Sequence, residues 1–320
     1  MKLLDFRPET MRRLALPGAL LLGFLVAGLL SPGTWAFSAT FAISQALVAL
    51  SAGMLFGRAG LLSLCPMAFA AIGAWVVLWL NVNQRLPSLV MLAIGSLAAI
   101  PAGFFVGGLA LRLRGVNLAV VTLAFSVAVS GIFNKHAFPG TLSAERVQLR
   151  PMGFNDDKMW FLLSFVIMVA VGVGLEALGR TRTGHAWRAV RSSERAAAAA
   201  GLSVPGVKLS AFVTSAAIAG LAGGIYAAQL NGSVDIRSFN ALISLAVVAA
   251  AVMFGAQSLS GAVVAGMLAA LIPEVFRRLG WSAEYPQMIF GLGNIFVACE
   301  TQRNKVAAQF RQRFFIHKAG

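Results

Sequence analysis

The chain has 320 residues, 58% of them hydrophobic and only 12% charged, where soluble domains run near half apolar and a quarter charged. Its mean hydropathy is +0.81, and apolar runs of about 20 residues recur from end to end, the mark of a polytopic membrane protein. That composition excludes a soluble enzyme, a free nucleic-acid binder and a secreted disulfide scaffold.

In chain order the apolar runs predict ten spans, at 14–30, 36–56, 61–80, 86–111, 116–134, 159–179, 208–230, 240–255, 261–276 and 284–300. The expected fold is all-α: a polytopic integral membrane protein of about ten transmembrane helices, with residues 1–320 forming a single domain. Lys2, Arg7, Arg12 and Arg13 precede the first run as they would a signal peptide. Asp5 and Glu9 interrupt that basic region and no Ala-x-Ala site follows cleanly, so the run is read as a retained helix. The eighth and ninth runs are short and close together, which leaves a re-entrant pair open. Cys65 and Cys299 both fall inside apolar runs and argue for neither a disulfide nor a metal site.

Three spans carry patterned residues. In the fifth, Thr122, Ser126, Ser130 and Asn134 recur every four residues and share one helix face. Such a stripe lines a path for a small polar solute, or it bonds helix carbonyls and bridges neighbouring helices. Both readings stand at this stage. Gln45, with Ser44 and Ser51, is a sparser case of the same kind in the second span. In the seventh, Ala216, Gly220, Gly224 and Ala228 form a small-residue face suited to close backbone packing. Asn231-Gly232-Ser233 matches a glycosylation sequon but reads better as an Asn-Gly turn.

Placing the N-terminus in the cytoplasm puts 18 Lys and Arg on the inner side and 8 on the outer, while acidic residues divide 5 to 6. The bias lies in the basic residues alone, as orientation in a membrane requires. The topology is therefore N-in and C-in. The net charge of +15 follows from that orientation, and no nucleic-acid partner is needed to explain it.

Little remains outside the spans. The longest inner loop, 180–207, and the longest outer segment, 135–158, are both too short for a domain. No Gly-Lys dipeptide occurs, so the chain has no phosphate-cradling P-loop, and ATP-driven work would need hydrolysis elsewhere. His136, His185 and His317 are scattered, with no His-Glu-x-x-His helix; no metal site, catalytic residue or cofactor is expected. No span carries a mid-membrane Asp or Glu, which counts against an ion-coupled carrier and a carboxylate-based membrane protease.

Residues 183–201 read as one amphipathic helix outside the membrane. Thr183 is placed as N-cap and Gly201 as C-terminal stop. Arg188, Arg191 and Arg195 share one face; Trp187, Val190 and Ala197 or Ala198 occupy its neighbour. The arginines could sit at lipid headgroups. Alternatively the helix docks a soluble partner, with Trp187 as apolar anchor and the arginines as rim. Periodicity does not separate the two.

The run Thr183-Gly184-His185-Ala186-Trp187-Arg188-Ala189-Val190-Arg191, with Glu194, Ala196-Ala197 and Gly201-Leu202, resembles the cytoplasmic coupling loop of the membrane subunits of branched-chain amino acid ABC importers. Three further stretches resemble that family in the same order. They are Gly57-Arg58-Ala59-Gly60-Leu61-Leu62-Ser63-Leu64 with Gly73-Ala74-Trp75, then Leu111-Arg112-Leu113-Arg114-Gly115 with Val121-Thr122-Leu123-Ala124-Phe125, and Lys208-Leu209 through Gly220-Leu221-Ala222-Gly223. The chain departs from the family pattern at Cys65-Pro66, in an outer segment that has only Phe138-Pro139-Gly140, and at Gly255 to Ala262.

The resemblance implies a permease subunit, not an enzyme, in the inner membrane of a bacterium. Its implied partners are two cytoplasmic ATP-binding subunits, a sister permease and an extracytoplasmic solute-binding protein. A heterodimer of permeases is the family's habit, and a homodimer also fits. Gly184, Trp187, Arg188, Arg191, Glu194 and Gly201 are the implied ATPase-coupling residues. Gln45, Thr122, Ser126 and Ser130 are the candidate pore-lining set. The solute is then a branched-chain amino acid, another amino acid, urea or a short amide, or a small organic acid. A stand-alone channel or carrier, or a subunit of some other membrane complex, are the rival readings.

Overall fold

A computed structural model describes residues 8–30, 33–84, 86–111, 113, 115–135, 138–139, 149–151, 154, 156–231 and 234–280. Among these residues the chain is all-helical, with no strand. Among the described residues seven helices are long and apolar enough to cross a membrane, and they fall on seven of the ten expected spans. The first run carries the shorter apolar stretch Gly18–Leu30, within helix α1 (Pro8–Leu30). The tenth run, 284–300, lies outside the described residues.

Helix α2 (Gly33–Met54) continues into a π-turn, Leu55–Ala59. Gly60 closes it in the left-handed region at φ 71°, where Leu61 N–H reaches back to the Leu55 carbonyl at 3.0 Å. Residues 60–65 are then non-helical, and Pro66 opens α3 (Pro66–Gln84), a position where its missing N–H costs nothing. The span at 86–111 forms as two collinear pieces, α4 (Ser88–Ala98) and α5 (Ile100–Ala110). The break at Ala99 is the expected effect of Pro101, which has no N–H for the Leu97 carbonyl; the Ala99 N–H turns to that carbonyl instead. Helices α6 (Val116–Lys135) and α7 (Asp157–Gly179) follow.

The predicted single helix at 183–201 is two: α8 (Arg182–Ser192) and α9 (Glu194–Ala199). Ser193 is extended (φ −161°, ψ 114°), and its hydroxyl caps α9 by accepting from Ala196 N–H at 3.2 Å. Thr183, expected as N-cap, is inside α8; the cap position is Thr181, whose hydroxyl donates back to the Leu178 carbonyl. Gly201 does end the segment, at φ 82°, with Gly201 N–H on the Ala198 carbonyl and Leu202 N–H on that of Ala197. The break at Ser193 also separates Arg195 from the face of Arg188 and Arg191.

Next comes α10 (Val204–Gln229), with Ser203 as N-cap and Pro205 in its first turn. Asn231, at φ 46°, makes the turn at its far end; Gly232 and Ser233 lie outside the described residues. A 3₁₀ turn (Ile236–Phe239), α11 (Ala241–Met253) and α12 (Leu259–Arg278) complete the described chain. At 13 residues, α11 is about 20 Å long against a hydrocarbon core of about 30 Å, so it does not span by itself.

Helices α2, α3 and α10 form the centre. Their apolar windows are 83%, 61% and 72% buried, against 28–33% for the α4–α5 rod, α6, α7 and α12 around them. Small residues make the centre possible. A side chain at Gly73 would strike the Gly220 carbonyl, and one at Gly223 the Ala70 carbonyl. Gly220 packs on Ala99, and Gly224 on Leu92 and Val77. The small-residue face of α10 is thus a packing face against α3, α4 and the α4–α5 junction. Gly266 sets α12 against Ala42 and Ala46 of α2 in the same way. At the far end of α10, buried Arg150 pairs with Asp157 at 2.8 Å and donates to the Gln229 carbonyl at 3.2 Å.

Candidate functional site

The α8–α9 loop is built onto the end of the helix bundle by four kinds of contact. Trp187 is fully buried, and its indole N–H donates to the Ser210 hydroxyl of α10 at 3.0 Å. Val190 and Ala197, from the same apolar side, are also buried. Arg188 donates to the Gly179 carbonyl at 2.9 Å and meets His185 Nδ1 at 3.1 Å. Arg191 donates to the Gly57 carbonyl, and its side chain lies over Gly60. Glu194 forms an ion pair of 2.8 Å with Lys208, whose side chain is only 3% exposed. Gly184 is buried against Gly179, where a Cβ would overlap the backbone.

The geometry corrects one expected role. Trp187 faces its own chain and fastens the loop to α10; it is not a free anchor for a partner. Arg188 and Arg191 are exposed residues that each rest on an own-chain carbonyl, while Arg182, His185 and Arg195 lie on the exposed side. In the sequence Gly57 and Lys208 stand out only as parts of motifs. Their pairing with the loop spans 134 residues in one case and joins two helices in the other, so no local signal revealed it.

A narrow, half-open cavity lies between α2, α3, α10 and the 3₁₀ turn. Ser44 and Gln45 from α2, Tyr226 from α10 and Ser238 supply its polar side; Val48, Met67, Ala70, Ala222 and Phe239 supply the apolar side. Gln45 is 6% exposed, and its Oε1 has no hydrogen-bond partner. A buried carbonyl left open at the wall of a cavity is an acceptor waiting for a donor. Aromatic rings adjoin this cavity: Phe41 meets Tyr226 at 5.5 Å, Tyr226 meets Phe239 at 5.3 Å, and Phe239 meets Phe138 at 5.9 Å.

The stripe on α6 is elsewhere. Thr122 accepts from Leu64 N–H at 2.9 Å and donates to the Ala119 carbonyl at 2.9 Å. Ser130 is within 3.0 Å of the Ser126 carbonyl and 3.2 Å of the Phe239 carbonyl. Ser126 is fully buried with its hydroxyl unpartnered. None of the three lines the cavity. Thr122 and Ser244 instead serve the non-helical stretch: Ser244 donates to the Leu64 carbonyl at 2.9 Å and faces Met67 N–H at 3.4 Å. Irregular backbone in such a bundle persists only where protein groups satisfy it, and Thr122 bridges α6 to that stretch. Among the described residues no three His, Cys, Asp or Glu side chains gather as a metal site would require.

Spanning helices around a part-polar cavity, with a loop fixed across one end, make a multi-pass membrane protein. Residues 34–298 match the family model of the branched-chain amino acid transport system permease component, and the chain belongs to that family. It is similar to the high-affinity branched-chain amino acid transport system permease protein LivM of Escherichia coli K12, at 31% identity over 304 residues, covering 84% of this chain and 71% of that protein. The LivM protein of Salmonella typhimurium LT2 is 30% identical with the same coverage. No solved structure matches the chain.

Proposed function

We propose that this chain is the membrane-spanning subunit of an ATP-driven importer for a small amphipathic solute, a branched-chain amino acid above others, in the inner membrane of a bacterium. The carrying observation is that α10 joins the two halves of the site. Its first turns hold the α8–α9 loop through Ser210 and Lys208, and its later turns line the cavity with Ala222, Gly223 and Tyr226. In this reading two cytoplasmic ATP-binding subunits dock on the exposed side of α8–α9. The 18-to-8 distribution of basic residues supports a cytoplasmic loop, with both termini inside. A sister permease completes the membrane pair, and an extracytoplasmic binding protein delivers solute.

The residues divide accordingly. Arg188 and Arg191 set the loop on its carbonyls and offer their remaining N–H groups, beside Arg182 and Arg195, to the ATPase. Gly184 allows the loop to lie against α7, Glu194 ties it to α10, and Gly201 turns the chain into that helix. In the cavity the amide and hydroxyls meet the solute's charged head, while Val48, Met67 and Phe239 meet its apolar side chain.

Co-purification from gently solubilised membranes tests the docking. The wild-type chain is expected to bring down a nucleotide-binding subunit. Arg191→Glu, which sets a carboxylate against the Gly57 carbonyl, is expected to insert normally and lose that subunit or its coupling. A chain that transports in liposomes without any ATPase would instead be a channel or carrier.

Gln45→Leu tests the cavity. Losing the open acceptor is expected to weaken solute handling by about 1–3 kcal/mol, roughly 5- to 150-fold in the KM of ATP-driven uptake. Stability should hold or rise, because Oε1 makes no hydrogen bond that could be lost. Unchanged KM would remove Gln45 from the path.

A further inference from the structure

Arg58 stands where the end of α2, α7 and the α11–α12 turn converge, one residue from the loop's contact at Gly57. Its Nη1 donates to the Leu175 carbonyl at 2.8 Å, and its Nη2 to Glu176 Oε2 at 2.8 Å and the Gln257 carbonyl at 3.3 Å. The side chain is 16% exposed. A planar guanidinium divides these three bonds between two nitrogens held in a rigid fork, a geometry that the single nitrogen of an ammonium does not offer. Its neighbour Gly57 gives its carbonyl to Arg191 of the loop.

Three glycines close the assembly. A Cβ at Gly57 would meet Gln257, one at Gly60 would meet Arg191, and one at Gly179 would meet Arg58. Each absent side chain leaves the space that a long polar side chain fills. The whole knot is carried on a π-turn, a wide and uncommon helical turn that marks functional sites more often than chance. Gln45 lies 13 residues back along α2, roughly 20 Å at 1.5 Å per residue.

We infer that Arg58 is the positioning residue through which movement of the docking loop reaches α2, α7 and the α11–α12 turn as one body. The inference rests on the importer reading. Arg191 moves Gly57 with the loop; Arg58, next in the chain, carries the ends of α7 and of the α11–α12 turn along with it. The cavity wall on α2 then shifts in step with α12, which packs along α2 at Gly266. Without Arg58 the ATPase would still dock, because the exposed face of α8–α9 is untouched, but its stroke would be spent on the loop alone.

The test uses the assembled complex in proteoliposomes. Arg58→Gln is expected to co-purify the ATPase at wild-type stoichiometry and hydrolyse ATP, while solute moved per ATP falls about tenfold. Wild-type transport per ATP in that complex overturns the inference and leaves the importer reading intact. Failure of the wild-type chain itself to capture an ATPase overturns the reading beneath it. A second measurement keeps Arg58 in place: spin labels at the exposed positions Ala177→Cys and Ser258→Cys. Their separation is expected to be the same without nucleotide and with ATP bound. A nucleotide-dependent change in that distance shows two bodies and not one, and overturns the inference whatever the Gln variant does.

Discussion

Glu194→Gln is expected to loosen the docking loop far more than Lys208→Met, although both remove the same ion pair. The reason is the unequal burial of the partners: the side chain of Lys208 is 3% exposed and that of Glu194 is 26%. Removing the carboxylate leaves an ammonium enclosed beneath α9, and breaking a buried pair from one side costs about 3–5 kcal/mol. Removing the ammonium leaves a carboxylate that reaches water by a rotamer change, and methionine refills the apolar channel of the lysine stem. Exchanging a buried ion for an apolar side chain of similar volume is often close to neutral. The readout is amide exchange across 194–210 in a detergent or nanodisc complex, where local opening is reported segment by segment. Equal acceleration by the two variants would refute this asymmetry, and with it the placement of Lys208.

Much of this architecture was legible from residue patterns, for reasons that differ by element. Seven spans could be read because an apolar run of sufficient length has few other fates. The packing face of α10 could be read because small residues recur every four positions, and only a second backbone makes use of that spacing. The break at Ser193 was written locally as well, in a Ser followed by Glu that opens a new helix. The alanine run after it favours helix so strongly that the two pieces read as one.

What could not be read is what depends on distance along the chain. Thr122 looks like a pore hydroxyl until Leu64, 58 residues away, is found donating to it. Arg58 looks like one more inner-side charge until Glu176 and Gln257, 118 and 199 residues away, close around it. Periodicity reports which residues share a face and says nothing about what that face meets. The hydroxyl stripe and the glycine face have equal regularity in sequence; one reaches the irregular backbone at Thr122 and the other makes a helix crossing. Gln45 stands out in the sequence because an amide in an apolar span has few bland explanations, and its open carbonyl lies on the cavity wall.

Gly223→Ala is expected to be among the most destabilising single-methyl changes in the chain. Gly223 faces Ala70 backbone to backbone: an added Cβ would overlap the Ala70 carbonyl oxygen and lie 2.8 Å from its Cα. No rotamer of the neighbour relieves this, because the obstacle is main chain. Helices α3 and α10 must separate, and separation breaks the adjoining contact between Gly73 and Gly220 as well. Overpacking a filled core costs about 1–3 kcal/mol, occasionally more, against a gain of up to about 1 kcal/mol from replacing a helical glycine by alanine. At Gly174 on α7, nothing lies within 4 Å of the new methyl, so Gly174→Ala keeps the propensity gain without the clash. The two variants should therefore move in opposite directions in a thermal unfolding series. The functional effect follows from the same geometry, since Gly223 and Ala70 both line the cavity beside Gln45. A crossing forced apart there changes the shape of the cavity before it unfolds the bundle. Transport should thus fall in Gly223→Ala even at temperatures where the folded fraction is full. If Gly223→Ala matches Gly174→Ala in stability, α3 and α10 do not meet at this crossing, and the cavity between them has another shape.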